Sequence, residues 1–148
     1  MLDDFRFTRT FRVIVADTDF LGHANNVAYI RWCEVGRCEY FHEVICGEFH
    51  GSQGFIVAKV DFTFERQLRY HEEISVGTRV SRIGGKSFDL THEVWSVVEN
   101  RRCGYGVIPL VAYDYHAQKT IRVPDAWRTR ILDFERVSPT YNSGRFEV

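Results

Sequence analysis

From residue 55 to residue 115 the chain offers one extended segment after another, and no connection between them is long enough to hold a crossover. In "FIVAKVDFTF" the residues Ile56, Ala58, Val60, Phe62 and Phe64 alternate with Val57, Lys59, Asp61 and Thr63, a period of two. Residues 73 to 83 form a further strand, "IGGKSF" makes a tight turn, and 87 to 98 return with Phe88, Leu90 and Val94 in phase. After "ENRR", residues 103 to 115 make the last long strand, in which Pro109 marks a bulge or an edge. Parallel neighbours require crossovers, so these strands imply an antiparallel sheet.

A sheet needs something to bury its apolar face, and the sequence supplies one long helix. Residues 7 to 16 read as a first strand and 17 to 25 as a polar loop. From Asn26 to Cys46, Tyr29, Ile30, Cys33, Tyr40, Phe41, Val44 and Ile45 recur at spacings of three and four. Trp32 and Val35 widen the apolar surface, as expected of a helix gripped on several sides. Gly36 costs this helix about 1 kcal/mol relative to alanine, which points to close backbone approach. Gly47 is a stop signal, 47 to 54 a glycine-rich connection, and Pro124 opens a short helix over about 125 to 132. The expected class is α+β, with one domain over residues 1–134 and a loose polar tail over 135–148. Such a sheet keeps open edges, which pairing with a like subunit would cover.

Composition removes several functions. A formal net charge of -1 argues for neither a nucleic-acid backbone nor an anionic membrane as partner. No apolar run approaches the ~20 residues of a bilayer span, and "MLDDFRFTRT" lacks the character of a signal peptide. The four cysteines form no CxxC pair, and three fall in the long helix, as small apolar residues of a reducing compartment would. The six histidines show no metal-ligand spacing, and "HEVIC" lacks the second histidine of a zinc motif. A cytoplasmic protein without metal or cofactor is expected.

Chemistry concentrates in "ADTDFLGHANN", residues 16 to 26. The first N–H groups of a helix have no internal acceptor, and the aligned peptide dipoles leave about half a positive charge there. Those groups could hold the oxyanion that develops on a substrate carbonyl. Asp19, upstream, could attack that carbonyl or take a proton from water. Gly22 would let the loop fold back so that the two converge. The plainer reading is a helix cap, which Asn25 or Asn26 could fill alone; Asp19 stands too far upstream for that role, and His23 adds a titratable group.

"DTDFLGHANNVAYIRWCEVGR" resembles the active-site segment of hotdog-fold acyl-CoA thioesterases of the 4-hydroxybenzoyl-CoA thioesterase family: Asp-x-Asp-x-x-Gly-His-x-Asn-Asn-x-x-Tyr, then Glu-x-x-Arg. The resemblance covers roughly residues 9 to 132 and implies a long central helix wrapped by a curved antiparallel sheet. It implies hydrolysis of an acyl-CoA by a homodimer or homotetramer. Asp19 matches the catalytic carboxylate and Asn26 the helix-start amide that polarises the thioester carbonyl. Asp17 is read as structural, held by backbone N–H groups. His23 and Asn25 match positions also found in plant acyl-acyl-carrier-protein thioesterases, so His23 is either catalytic or a packing residue of the loop. Glu34 and Arg37 match the family's ion pair, whereas Gly36 replaces its usual alanine.

"GGKS", residues 84 to 87, lacks the earlier glycine of a P-loop, Val80 standing in its place. In the family this hairpin lies near coenzyme A, which makes Lys86 and Ser87 substrate-binding candidates beside Gly22 and Asn25; an ordinary solvated hairpin is the alternative. Phe62, Phe64 and Trp95 are either core or the wall of an acyl tunnel. Three other activities share the pattern: hydrolysis of carrier-protein thioesters, hydration or dehydration by an Asp/His pair, and acyl-CoA binding without catalysis.

Overall fold

The computed structural model describes residues 2–47 and 51–141. Strand β1 (Phe7–Arg12) leads through a short 3-10 turn to helix α1 (Asn26–Tyr40), which continues as a π-helical segment, Phe41–Cys46. Strands β2 (Gln53–Val57), β3 (Asp61–Phe64), β4 (Glu73–Ile83), β5 (Ser87–Ser96) and β6 (Arg101–Asp114) follow. Short β7 (Lys119–Thr120), helix α2 (Asp125–Phe134) and short β8 (Thr140–Tyr141) complete the order. The sheet runs β1-β4-β5-β6-β2, with β3 and β7 also on β6. Every pairing is antiparallel except that of β8 with β4. This is the α+β arrangement expected, a curled sheet wrapped on one long helix.

The apolar spacing of α1 buries Tyr29, Trp32, Cys33 and Tyr40 against the sheet. Phe41 meets Phe55 and Trp127 edge-on at 4.9 and 5.2 Å, which ties the helix end to β2 and α2. Gly47, at φ 71°, ends the helix in a conformation that favours glycine. Part of the expected glycine-rich connection, residues 48–50, lies outside the described residues.

Three expectations are corrected. The strand expected over 7 to 16 stops at Arg12, because Asp17 draws the chain into a turn by accepting the Ile14 N–H at 3.0 Å. The uninterrupted strand read from 55 to 64 is broken: Val57 pairs with Leu110 and Asp61 with Val107, so three residues face two on β6. The extra residue is a bulge beside Pro109, which has no N–H for the ladder. Ile56, Val60 and Phe64 are exposed. Cys38 is also exposed, whereas Cys33 and Cys103 are core residues as read.

The start of the polar tail is folded onto the sheet. Buried Glu135 accepts the Tyr40 hydroxyl and, at 2.8 Å, the Val80 N–H beside a register shift in β4. Burial pushes the Glu135 carboxyl above its ordinary range. Residues 142–148 lie outside the described residues. Among the described residues no helix is long and apolar enough to cross a membrane.

Gly36 answers the question its position raises. A Cβ there would lie 2.7 Å from Thr78 Oγ1, and that hydroxyl is 3.0 Å from Nδ1 of fully buried His92. Alanine would gain about 1 kcal/mol of helix propensity but must displace a hydroxyl fixed in the core, at about 1–3 kcal/mol. Gly36→Ala should therefore lower the urea midpoint, and an unchanged or raised midpoint would contradict this packing.

Burial, with Arg37 adding to it, pushes His92 down from 6.5 to about 3. The folded imidazole stays neutral where the unfolded one takes a proton, so its contribution is intact above about pH 6.5 and lost as pH falls towards 3. Between pH 7 and 5 this one group should cost about 2 kcal/mol of stability. Urea unfolding at both pH values should show that loss, and His92→Asn should show less of it.

Candidate active site

The polar loop before α1 is a small hairpin pinned at its base. Thr18 and Ala24 form a β-bridge, and the Asn25 N–H donates to the Asp17 carbonyl at 2.8 Å. One step towards the tip, the Asp19 N–H donates to the His23 carbonyl at 2.9 Å. Gly22, at φ 85°, makes the return, and Leu21 donates its N–H to Asp19 Oδ1 at 2.8 Å. Asp19 is thus six positions before Asn25 in sequence but only one hairpin rung beyond the bridge. Its other carboxylate oxygen has no hydrogen bond among the described residues.

Asp17 holds the base of the hairpin. Its side chain is 1% exposed and takes the Ile14 N–H on one oxygen and the Arg31 guanidinium on the other. The sequence reading gave it backbone donors alone; Arg31, in the second turn of α1, was missed because no spacing rule links a loop residue to a helix face.

Asn25 is the helix cap: its Oδ1 accepts the Ala28 N–H at 2.8 Å. Asn26 is the first helical residue, and helix geometry leaves its N–H and that of Val27 without an intrahelical acceptor. The Asn26 side chain borders a cavity of about 220 Å³ lined by Ala24, Tyr29, Phe64 and residues 65–67. The Tyr29 hydroxyl donates to the Arg66 carbonyl at 2.7 Å, fixing that far wall. Phe64 meets the Tyr29 ring at 5.2 Å and lines this cavity, whereas Trp95 lies elsewhere, on a cavity with Arg101 and Arg102. His23 bridges to Arg69, and Ala24 donates to the Leu68 carbonyl at 2.8 Å. The hairpin therefore sits against the segment that precedes β4.

Lys86 and Ser87 are at the opposite end of that strand. β4 has 11 residues, or about 30 Å of chain, between the 68–69 segment and the 84–87 turn. Ser87 is buried, and its hydroxyl accepts from Arg82 at 2.9 Å. Arg128 from α2 covers the same turn through the Gly84 and Gly85 carbonyls. One protomer does not bring these two residues to the Asp19 loop. The Glu34–Arg37 pair is 3.5 Å apart, with Arg37 buried and Glu34 exposed. Burial pushes the Cys33 thiol up to about 12, an inert setting for a nucleophile.

A family model described as the Thioesterase-like superfamily matches residues 13–131. An uncharacterised Bacillus subtilis protein, YsmA, is 25% identical over 128 residues, 86% of each chain. A Thermus thermophilus thioesterase solved with coenzyme A and Zn is 27% identical, with a TM-score of 0.76 over 86% of this chain and 98% of that one. A Synechocystis 1,4-dihydroxy-2-naphthoyl-CoA thioesterase shares the fold at 16% identity, with a TM-score of 0.75 over 86% and 96%. With its helix, sheet and loop in this arrangement and four-fifths of its length matched, the chain belongs to the Thioesterase-like superfamily.

Proposed function

We propose that this protein hydrolyses the thioester bond of an acyl-CoA, releasing a free acid and coenzyme A. The observation that carries the reading is the pinned hairpin: Asp19 stands one rung beyond the Thr18–Ala24 bridge, and the same hairpin runs straight into an uncapped pair of helix N–H groups whose first residue, Asn26, lines a cavity. Family membership and the Thermus thermophilus relative solved with coenzyme A support the substrate class.

The substrate carbonyl oxygen would take up negative charge facing the Asn26 and Val27 N–H groups, where the helix dipole favours it. Asp19 would either remove a proton from water, whose oxygen then attacks the carbonyl carbon, or attack that carbon itself to form an anhydride that water cleaves. On both routes the C–S bond breaks and one water is consumed: its oxygen joins the acyl group, which leaves as the acid, and one of its protons ends on the sulfur. Leu21 holds one carboxylate oxygen, so the other is the reacting atom. His23, on the facing rung, could position the water.

The acyl group would lie between two copies of the chain. Among the described residues β2 and β3 are paired only to β6, and exposed Ile56, Val57, Val60 and Phe64 lie on these strands and the link between them. Phe20, Leu21 and Val27, at the helix mouth, are 96, 68 and 66% exposed, which a second subunit would cover.

Asp19→Asn keeps the shape of the loop and removes the charge. Thiol release from a panel of short, long and aromatic acyl-CoAs should fall at least about a hundredfold, within the range of general-base catalysis, with the urea midpoint nearly unchanged. Turnover at the parent rate would remove Asp19 from the mechanism. Sedimentation should give a mass of at least two chains, and Val60→Lys should lower it along with activity; a wild-type monomer would reject the shared site.

A further inference from the structure

The cavity beside Asn26 does not end at Arg66. Glu65 and Arg66 also line a cleft of about 760 Å³ that continues along Arg69, Tyr70, His71 and Arg101. A third hollow, past Trp95 and Arg102, shares Glu65, Arg66 and Arg101 with it. The helix-start cavity therefore adjoins, across the wall of residues 65–67, a groove whose volume lies in the about 300–1,000 Å³ range of small-molecule sites.

The charges along this groove are unevenly committed. Glu65 takes Arg102 through two bonds, of 2.8 and 3.0 Å, which hold its carboxylate below the usual range; nearby Arg66 adds a smaller pull. Glu99 pairs with Arg101, and Glu72 accepts the Ser96 hydroxyl and the Arg69 N–H at 2.7 and 2.8 Å. Arg66 and Arg69 are left exposed, with no ion pair or side-chain hydrogen bond among the described residues. The Nε atom of Arg101 is buried without a partner. Two unpaired guanidiniums in a concave wall favour a ligand with more than one phosphate, which they grip bidentately. Tyr70, 48% exposed and with its ring centroid 4.0 Å from that of His71 at a tilt of 50°, offers an aromatic face for a base.

We infer that this groove holds the 3′-phosphoadenosine diphosphate end of coenzyme A, with Arg66 and Arg69 as phosphate ligands and Tyr70 as the platform for adenine. The inference rests on the thioester reading above and gives the nucleotide a site in the same protomer as Asp19, away from the 84–87 turn. The thioester sits at Asn26, the pantetheine passes residues 64–67, and the phosphates reach the arginines.

Adenosine 3′,5′-bisphosphate is the probe, because it binds without any reaction. Calorimetry at low salt should show that it binds the wild-type protein and that Arg66→Ser/Arg69→Ser weakens it at least tenfold. The same double variant should narrow the preference for acyl-CoA over the acyl-N-acetylcysteamine thioester at least tenfold in kcat/KM. Absence of binding, or equal binding by both proteins, would overturn the assignment. So would tight binding of an acidic carrier protein together with none of the nucleotide. A protein that binds the bisphosphate through these arginines yet releases no thiol would refute hydrolysis and keep the groove. Thiol release with an unchanged preference in the double variant would do the reverse.

Discussion

A carboxylate removed from water must replace the donors it has lost, and Asp17 does so by gathering three separate segments. One oxygen takes the Ile14 N–H just past the first strand, the other takes a guanidinium from α1, and the residue's own carbonyl takes the N–H of the helix cap, Asn25. Leaving such a group half satisfied would cost several kcal/mol. The hairpin therefore has one low-energy placement relative to the helix. Asp19, His23 and Asn26 inherit their positions from it, although none of them touches Asp17 through a side chain.

The same economy appears beneath the helix. Gly36 admits the Thr78 hydroxyl, the hydroxyl meets His92, and Arg37 lies buried beside them with two nitrogens unpaired. A polar seam through an apolar core is weak evidence for stability but fixes which turn of the helix sits over which strand. A one-turn slip would put a side chain where the glycine is and leave the hydroxyl without room.

How much of this was legible in the sequence follows from the range of each interaction. Long strands, the helix and its glycine stop were readable because their signals are local and periodic: Ile74, Val76 and Val80, like Cys33 and Tyr40, follow the repeats of strand and helix. The break at 58–60 was not readable, since a bulge depends on what β6 presents opposite it. The cap at Asn25 was visible, but Arg31's hold on Asp17 was not. Nor was the burial of Ser87 beneath Arg82, which needs the curl of the hairpin and the arrival of α2. Arg66 and Arg69 carried no motif, and only the paired state of their neighbours makes them conspicuous.

Glu135 binds the hydroxyl of a residue 95 positions earlier and plugs the irregular rung of β4 at the same time. The consequence lies in the order of assembly. Contacts of such long separation form late, because the loop they close must first be gathered at an entropic cost. A nascent chain emerging from the ribosome would hold its long helix and most of its sheet before this carboxylate arrives. Until then the Val80 amide and the Tyr40 hydroxyl lack their native acceptor, so the curled sheet closes fully on its helix only once residue 135 is in place.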